Sequence, residues 1–252
     1  MSYLQLEETT QLAGLISLIG CCFIFALVCL IFYIAINNRV KKLYLFAIYL
    51  LSLSSPWYPS GFGYLYWLLT GTIFDYELYV LLGTIGFPLV ALCWFYIYTS
   101  IMYPNWKKVA LIFFGILSII FYSYVFYFLF FAPGAPVEPM IGSKITPLDI
   151  EYTGFIRFYI IVGFLIGAPT FFHFAISSMR TKNDPKIQLR GKLLLIASIL
   201  YIFGAITDAL FDLIPIYLII IRSLLAIAAL TFYMGFVMPT WVIKMFNLNI
   251  EE

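Results

Sequence analysis

Three observations predict an all-α polytopic membrane protein built as a seven-transmembrane-helix bundle. First, 64% of the 252 residues are hydrophobic and 10% are charged, whereas soluble domains carry about a quarter charged residues. No water-soluble core hides that much apolar surface. Second, the apolar runs meet or exceed the roughly 20 residues needed to cross a bilayer core. Stretches such as 109–131 and 214–237 are apolar on every face, which excludes the two-residue alternation of a transmembrane barrel. Third, charged clusters and Pro/Gly breaks separate the runs at regular intervals.

Taken in order, the expected helices cover 11–36, 43–70, 77–101, 109–131, 153–179, 192–213 and 215–238. The first apolar run, Ala13 to Ile36, exceeds a signal-peptide core, follows Glu7 and Glu8, and has no small-residue cleavage site, so it reads as a retained helix. The second contains Ser52-Leu-Ser-Ser-Pro-Trp-Tyr-Pro-Ser-Gly-Phe-Gly63. One reading is a break within the membrane, with Trp57, Tyr58 and Tyr64 as cavity walls. The other, which is simpler and preferred, ends the helix near Pro56 and makes the remainder to Phe74 an outer loop or re-entrant segment.

Pro88 and Pro169 are expected to kink the third and fifth helices. Gly163 and Gly167 form a small-xxx-small pair that suits close packing within the monomer. The segment from Ala132 to Tyr152, with Pro133, Pro136, Pro139 and Pro147, reads as an irregular outer cap. Residues 239–252 read as a short interfacial segment, with Trp241 and Phe246 at headgroup depth and Lys244 toward anionic lipid. The whole, 1–252, is expected to be a single transmembrane domain.

Loop charge sets the expected orientation. Basic residues follow the odd-numbered helices: Arg39, Lys41 and Lys42; Lys107 and Lys108; Arg180, Lys182, Lys186, Arg190 and Lys192; and Lys244. The opposite loops hold Lys144 and the acidic residues Glu7, Glu8, Asp75, Glu77, Glu138, Asp149 and Glu151. The positive-inside rule then places the N-terminus outside and the C-terminus in the cytoplasm of a multi-pass cell-membrane protein.

Several function classes fall away. The four cysteines lie in expected helices without metal-ligand spacing, and a net charge of +2 gives no footprint for nucleic acid. A single histidine, His173, rules out haem-spanning pairs, zinc hydrolase sites and multi-histidine desaturase sites. No hydrolytic motif appears, so neither an enzyme nor a cofactor is expected.

Four charges enter apolar spans: Arg157, Asp208, Asp212 and Arg222. Charges at that depth are costly and demand partners. Asp208 lies about one turn, and Arg222 about two turns, below the outer ends of their helices, so an ion pair between them fits. Asp208 and Asp212, four residues apart, share a face that continues through Gly204 to Tyr201. One reading is an outer-half polar pocket formed by Arg157, Asp208, Asp212, Arg222 and Tyr201 with Trp57 and Tyr58. Its alternative is a structural clasp between helices six and seven, with Arg157 and Asp212 snorkelling to the interface.

Other seven-helix plans fit less well. A retinal protein needs a lysine in the middle of helix seven, and none is there. The inner end of helix three reads Tyr98-Thr-Ser-Ile-Met-Tyr103, and helix seven ends Gly235-Phe-Val-Met-Pro239, neither of which carries a G-protein-coupled receptor signature. Sugar transporters built as three plus one plus three helices would carry a Pro-Gln signature, also missing here.

The topology, together with the ending Gly235-Phe-Val-Met-Pro-Thr-Trp-Val-Ile-Lys244, loosely resembles the seven-helix sensory module that precedes the kinase domain of some prokaryotic receptor histidine kinases. Free-standing archaeal seven-helix membrane proteins share that likeness. The resemblance implies a receptor-like sensor of a small ligand or lipid that signals through partners. Two alternatives stand beside it: a small-molecule or ion transporter using Asp208 and Asp212, and a non-catalytic subunit of a larger membrane complex. Membrane lipids are expected partners. The basic loop from Arg180 to Lys192 is either a docking surface for a protein or a topology determinant that touches anionic lipid.

Overall fold

The computed structural model describes residues 5–132, 137–182, 184–210 and 215–247. Its helices are α1 (Glu8–Asn38), α2 (Lys41–Leu53), α3 (Tyr58–Thr70), α4 (Tyr76–Thr84), α5 (Gly86–Met102), α6 (Lys107–Phe126), α7 (Val137–Met140), α8 (Gly154–Met179), α9 (Pro185–Leu210), α10 (Pro215–Val237) and α11 (Thr240–Met245). Among the described residues, six stretches are long and apolar enough to cross a membrane: Glu8–Asn38, Tyr76–Met102, Pro104–Phe131, Gly154–Met179, Pro185–Asp208 and Ile219–Val237. The chain is a helical, multi-pass membrane protein.

The expected second helix is two helices. α2 and α3 are joined by a 3-10 turn at Ser55–Trp57, and the remainder of the segment is helix rather than loop. Pro56 and Pro59 both fall in the first turn of their elements, where a missing N–H leaves no hydrogen bond unmade. The two halves run antiparallel along α1. Tyr44 faces Phe32, the Trp57 carbonyl accepts from the Cys21 thiol, and Tyr64 sits against Gly14. Glycine makes the contact close: a Cβ on Gly61 would come within 2.9 Å of the Leu18 amide nitrogen.

A second interruption separates α4 from α5 at Ile85. Pro88 causes it, because proline cannot donate to the carbonyl of Thr84 four residues earlier. The two interruptions meet. Ser55 donates its hydroxyl to the Gly83 carbonyl at 3.3 Å, and a Cβ on Gly86 would overlap Ser52 O and Ser55 Oγ. Each break thus supplies polar or small groups to the other, the condition under which irregular backbone is tolerated at membrane depth.

Aromatic stacking fills the bundle on one side of this crossing. Trp94 stacks on Phe171 at 3.5 Å between ring centres, and its indole N–H donates to Thr170 Oγ1 at 2.8 Å. Phe46 stacks on Phe236 at 4.0 Å, with Tyr49 and Phe232 also buried in this core. At the same end, His173 Nδ1 lies 3.1 Å from the Tyr98 hydroxyl and the ring stacks on Tyr103, a packing role. There α11 folds back to bury Val242 against Leu189 and Leu193, leaving Trp241 and Phe246 about half exposed.

The opposite end carries a structured cap. The expected irregular segment instead forms an antiparallel hairpin of β1 (Gly142–Thr146) and β2 (Asp149–Tyr152). Pro147 lies outside both strands, in the turn where no ladder donor is needed. The Tyr76 hydroxyl donates to Gly142 O at 2.6 Å, and Lys144 donates to Phe74 O at 3.1 Å. Burial holds the Lys144 amine below its ordinary pKa, against the pull of Asp75 and Glu77.

Candidate functional site

At the interruption between α2 and α3, three of the sequence-selected residues converge. Arg222 on α10 pairs its Nη2 with Asp208 Oδ1 of α9 at 3.3 Å. The other oxygen of that carboxylate, Oδ2, accepts from Trp57 Nε1 at 3.0 Å. The Arg222 guanidinium carbon also lies 5.0 Å from the Trp57 ring centre, a cation–π distance. Side-chain exposure is 15% for Arg222 and 18% for Asp208, so this is a largely desolvated pair. Such a pair is stable only when hydrogen bonds occupy its remaining groups.

For Asp208 they do; for Arg222 they do not. Its Nε and Nη1 are buried, and among the described residues neither has a hydrogen-bond partner. Beside the guanidinium lies a crevice lined by Ser17, Gly20 and Ile24 of α1, by Trp57, and by Leu225 and Ala226 of α10. It measures about 260 Å³ to its open mouth, but its enclosed part has room for about one water molecule. Ser17 is already engaged, donating to Ala13 O at 2.8 Å and accepting from Ser60 at 3.2 Å.

A second small crevice adjoins the first at Ile24, Trp57 and Leu225, and Tyr201 lines it with Ser54, Ala229 and Phe232. Tyr201 is therefore two turns from the ion pair, on the shared face. Tyr58 turns away: its hydroxyl bonds Ser54 Oγ at 2.8 Å and the Leu51 carbonyl, and its ring packs on Phe25. Arg157 stands apart from the cluster, paired with Glu151 at 3.0 Å, both side chains 53% exposed. The hairpin brings Glu151 over the start of α8 and gives Arg157 a nearer partner than the bundle does. Asp212 lies outside the described residues.

The α1 side of the crevice lining, Ser17, Gly20 and Ile24, is not singled out by the sequence, unlike Trp57 and Arg222. Gly14, Ser17, Gly20 and Cys21 put small residues on one stripe of α1 at helical spacing, and that stripe is the signal. The arrangement offers hydrogen-bond donors, a balanced charge pair and an aromatic wall. Among the described residues there is no group of three or more His, Cys, Asp or Glu placed to hold a metal.

The site and bundle define a class no finer than a multi-pass helical membrane protein with an ion pair buried beside an interrupted helix. A scan against protein-family models and a search of curated proteins found no match.

Proposed function

We propose that the chain is a seven-span sensor, with its N-terminus outside the cell, that binds a small ligand or lipid at Arg222 and signals through partners. One observation carries this reading: a buried guanidinium with two nitrogens unpaired among the described residues, beside a crevice. α2 and α3 together supply the seventh span, since they follow α1 for most of its length. The charge distribution supports the orientation. Every basic junction, from Arg39 and Lys41 to Lys107 and Lys182, lies at the end holding α11, and the acidic hairpin lies at the other.

Sensing is favoured over transport because the stacked core of Tyr49, Trp94, Phe171 and Phe232 blocks the path between the crevice and the basic end. The basic segment from Arg180 to Lys192, expected as a loop, is helical from Pro185 onward as the start of α9, and it is the surface that meets a cytoplasmic partner or anionic lipid. Native mass spectrometry of protein extracted gently from its own membrane tests the reading. The expected spectrum shows a retained molecule in wild type that is lost in Asp208→Asn and Arg222→Met. Stoichiometric protein subunits with no such molecule would replace the sensor by the complex-subunit reading.

A further inference from the structure

We infer that the ligand group received by Arg222 is an uncharged hydrogen-bond acceptor oxygen, a carbonyl or ester, carried by an amphiphile that enters sideways between α1 and α10. This rests on the sensor reading above and specifies its ligand class. Charge decides the first half. Asp208 stands 3.3 Å from the guanidinium and balances it, so a second anion would leave a net negative charge in a desolvated site. An uncharged acceptor satisfies Nε or Nη1 without that cost.

Shape decides the second half. The enclosed volume holds a single oxygen-sized group, so most of any ligand lies outside the crevice. Gly20 opens the way: a Cβ there would meet nothing within 4 Å. Exposed apolar residues neighbour the lining along both helices: Ile19 at 61% and Phe23 at 37% next to Gly20 and Ile24 on α1, and Ile219 at 40% about one turn before Arg222 on α10. An apolar tail lies against those residues while its oxygen reaches inward.

The test is thermal unfolding of the full chain in detergent with three single-chain probes: monoolein, which has an uncharged ester; oleate, an anion; and octadecene, which has no acceptor. Monoolein is expected to raise the midpoint by about 3 °C, the shift that roughly tenfold saturation gives a chain of this size, and octadecene to leave it unchanged. Gly20→Leu, which adds a side chain to the crevice lining where a Cβ has open space, is expected to fold and to lose the monoolein shift. A retained glycerolipid in the native spectrum names the bilayer as the source, and a retained non-lipid carbonyl compound names a free ligand; either agrees with the inference. Stabilisation by oleate but not monoolein, or a monoolein shift that survives Gly20→Leu, overturns the ligand class. In both cases a retained molecule that Arg222→Met removes would keep the sensor reading alive. Absence of any shift together with absence of any retained molecule overturns both.

Discussion

Trp57 donates its indole N–H to Asp208, which ties the interruption between α2 and α3 to α9, 151 residues away in sequence. A hydrogen bond to a charged acceptor contributes about 1.5–3 kcal/mol. Trp57→Phe keeps a ring beside Arg222 but removes the donor, and is expected to lower stability by about 2 kcal/mol. Unfolding in detergent checks it, and a loss no larger than that of an exposed control such as Trp106→Phe would count against the bond.

Arg222→Met strands the Asp208 carboxylate in an apolar setting. The expected cost is about 3 kcal/mol, and adding Asp208→Asn should restore much of it, because the loss comes from the unpaired charge. A double-mutant cycle reads the coupling. Equal losses with and without Asp208 would dissolve the pair.

Glycines at the crossing should behave oppositely to glycines on the free face of α8. Gly86→Ala collides with Ser52 and Ser55 and is expected to destabilise by at least 1–2 kcal/mol, on the order of an overpacked core. Gly163→Ala meets nothing within 4 Å and should be neutral or stabilise by about 0.5–1 kcal/mol. Similar effects at both positions would mean that the interruptions do not pack as described.

Much of this was legible in the sequence, and the exceptions share one cause. The Asp208 to Arg222 pair follows from counting residues to the helix ends, because depth is one-dimensional and the chain records it. Pro56, Pro59, Gly61 and Gly63 look like breakers one at a time, which favours ending the helix near Pro56, with an outer loop or re-entrant segment to Phe74, over a break within the membrane. Their positions relative to the helix starts and to α1 make two of them harmless and Gly61 a point of close contact. Arg157 was grouped with the other charges by depth alone, while its real partner, Glu151, arrives through a hairpin that proline content concealed. How segments cross, and what they therefore offer each other, is not written along a single helix.

Tyr152 gives a pH-dependent prediction. Its hydroxyl is buried against Gly83 with no hydrogen-bond partner among the described residues, and burial raises its pKa above the ordinary tyrosine value, with Asp149 and Tyr76 adding to the shift. Below about pH 10 both folded and unfolded chains keep the proton; above it the unfolded chain releases it first, so stability falls as pH rises. Lys144, depressed by burial, works in the opposite direction just below its ordinary pKa. Tyr152→Phe should therefore leave stability at pH 8 nearly unchanged and flatten the decline between pH 9 and 11. Parallel melting curves for the two proteins would remove the effect. Tyr152→Phe should also relieve Gly83→Ala, whose Cβ meets that hydroxyl.

Orientation is open to direct labelling. In a background with the four native cysteines replaced, a cysteine at Ile145, 55% exposed on the hairpin, should react with an impermeant reagent on intact cells. One at Lys182 should stay silent until the membrane is opened. The reverse pattern would turn the protein over.

The meeting of the two interruptions also bears on how the chain is made. A segment that arrives in lipid with a break exposes carbonyls that hydrocarbon cannot satisfy, and here the hydroxyl that answers Gly83 belongs to Ser55, on the segment inserted just before it. Residues 41–70 and 76–102 are therefore expected to enter the membrane as a pair. Separating them, by lengthening the short link at Gly71 to Asp75, would delay membrane insertion rather than weaken the finished fold.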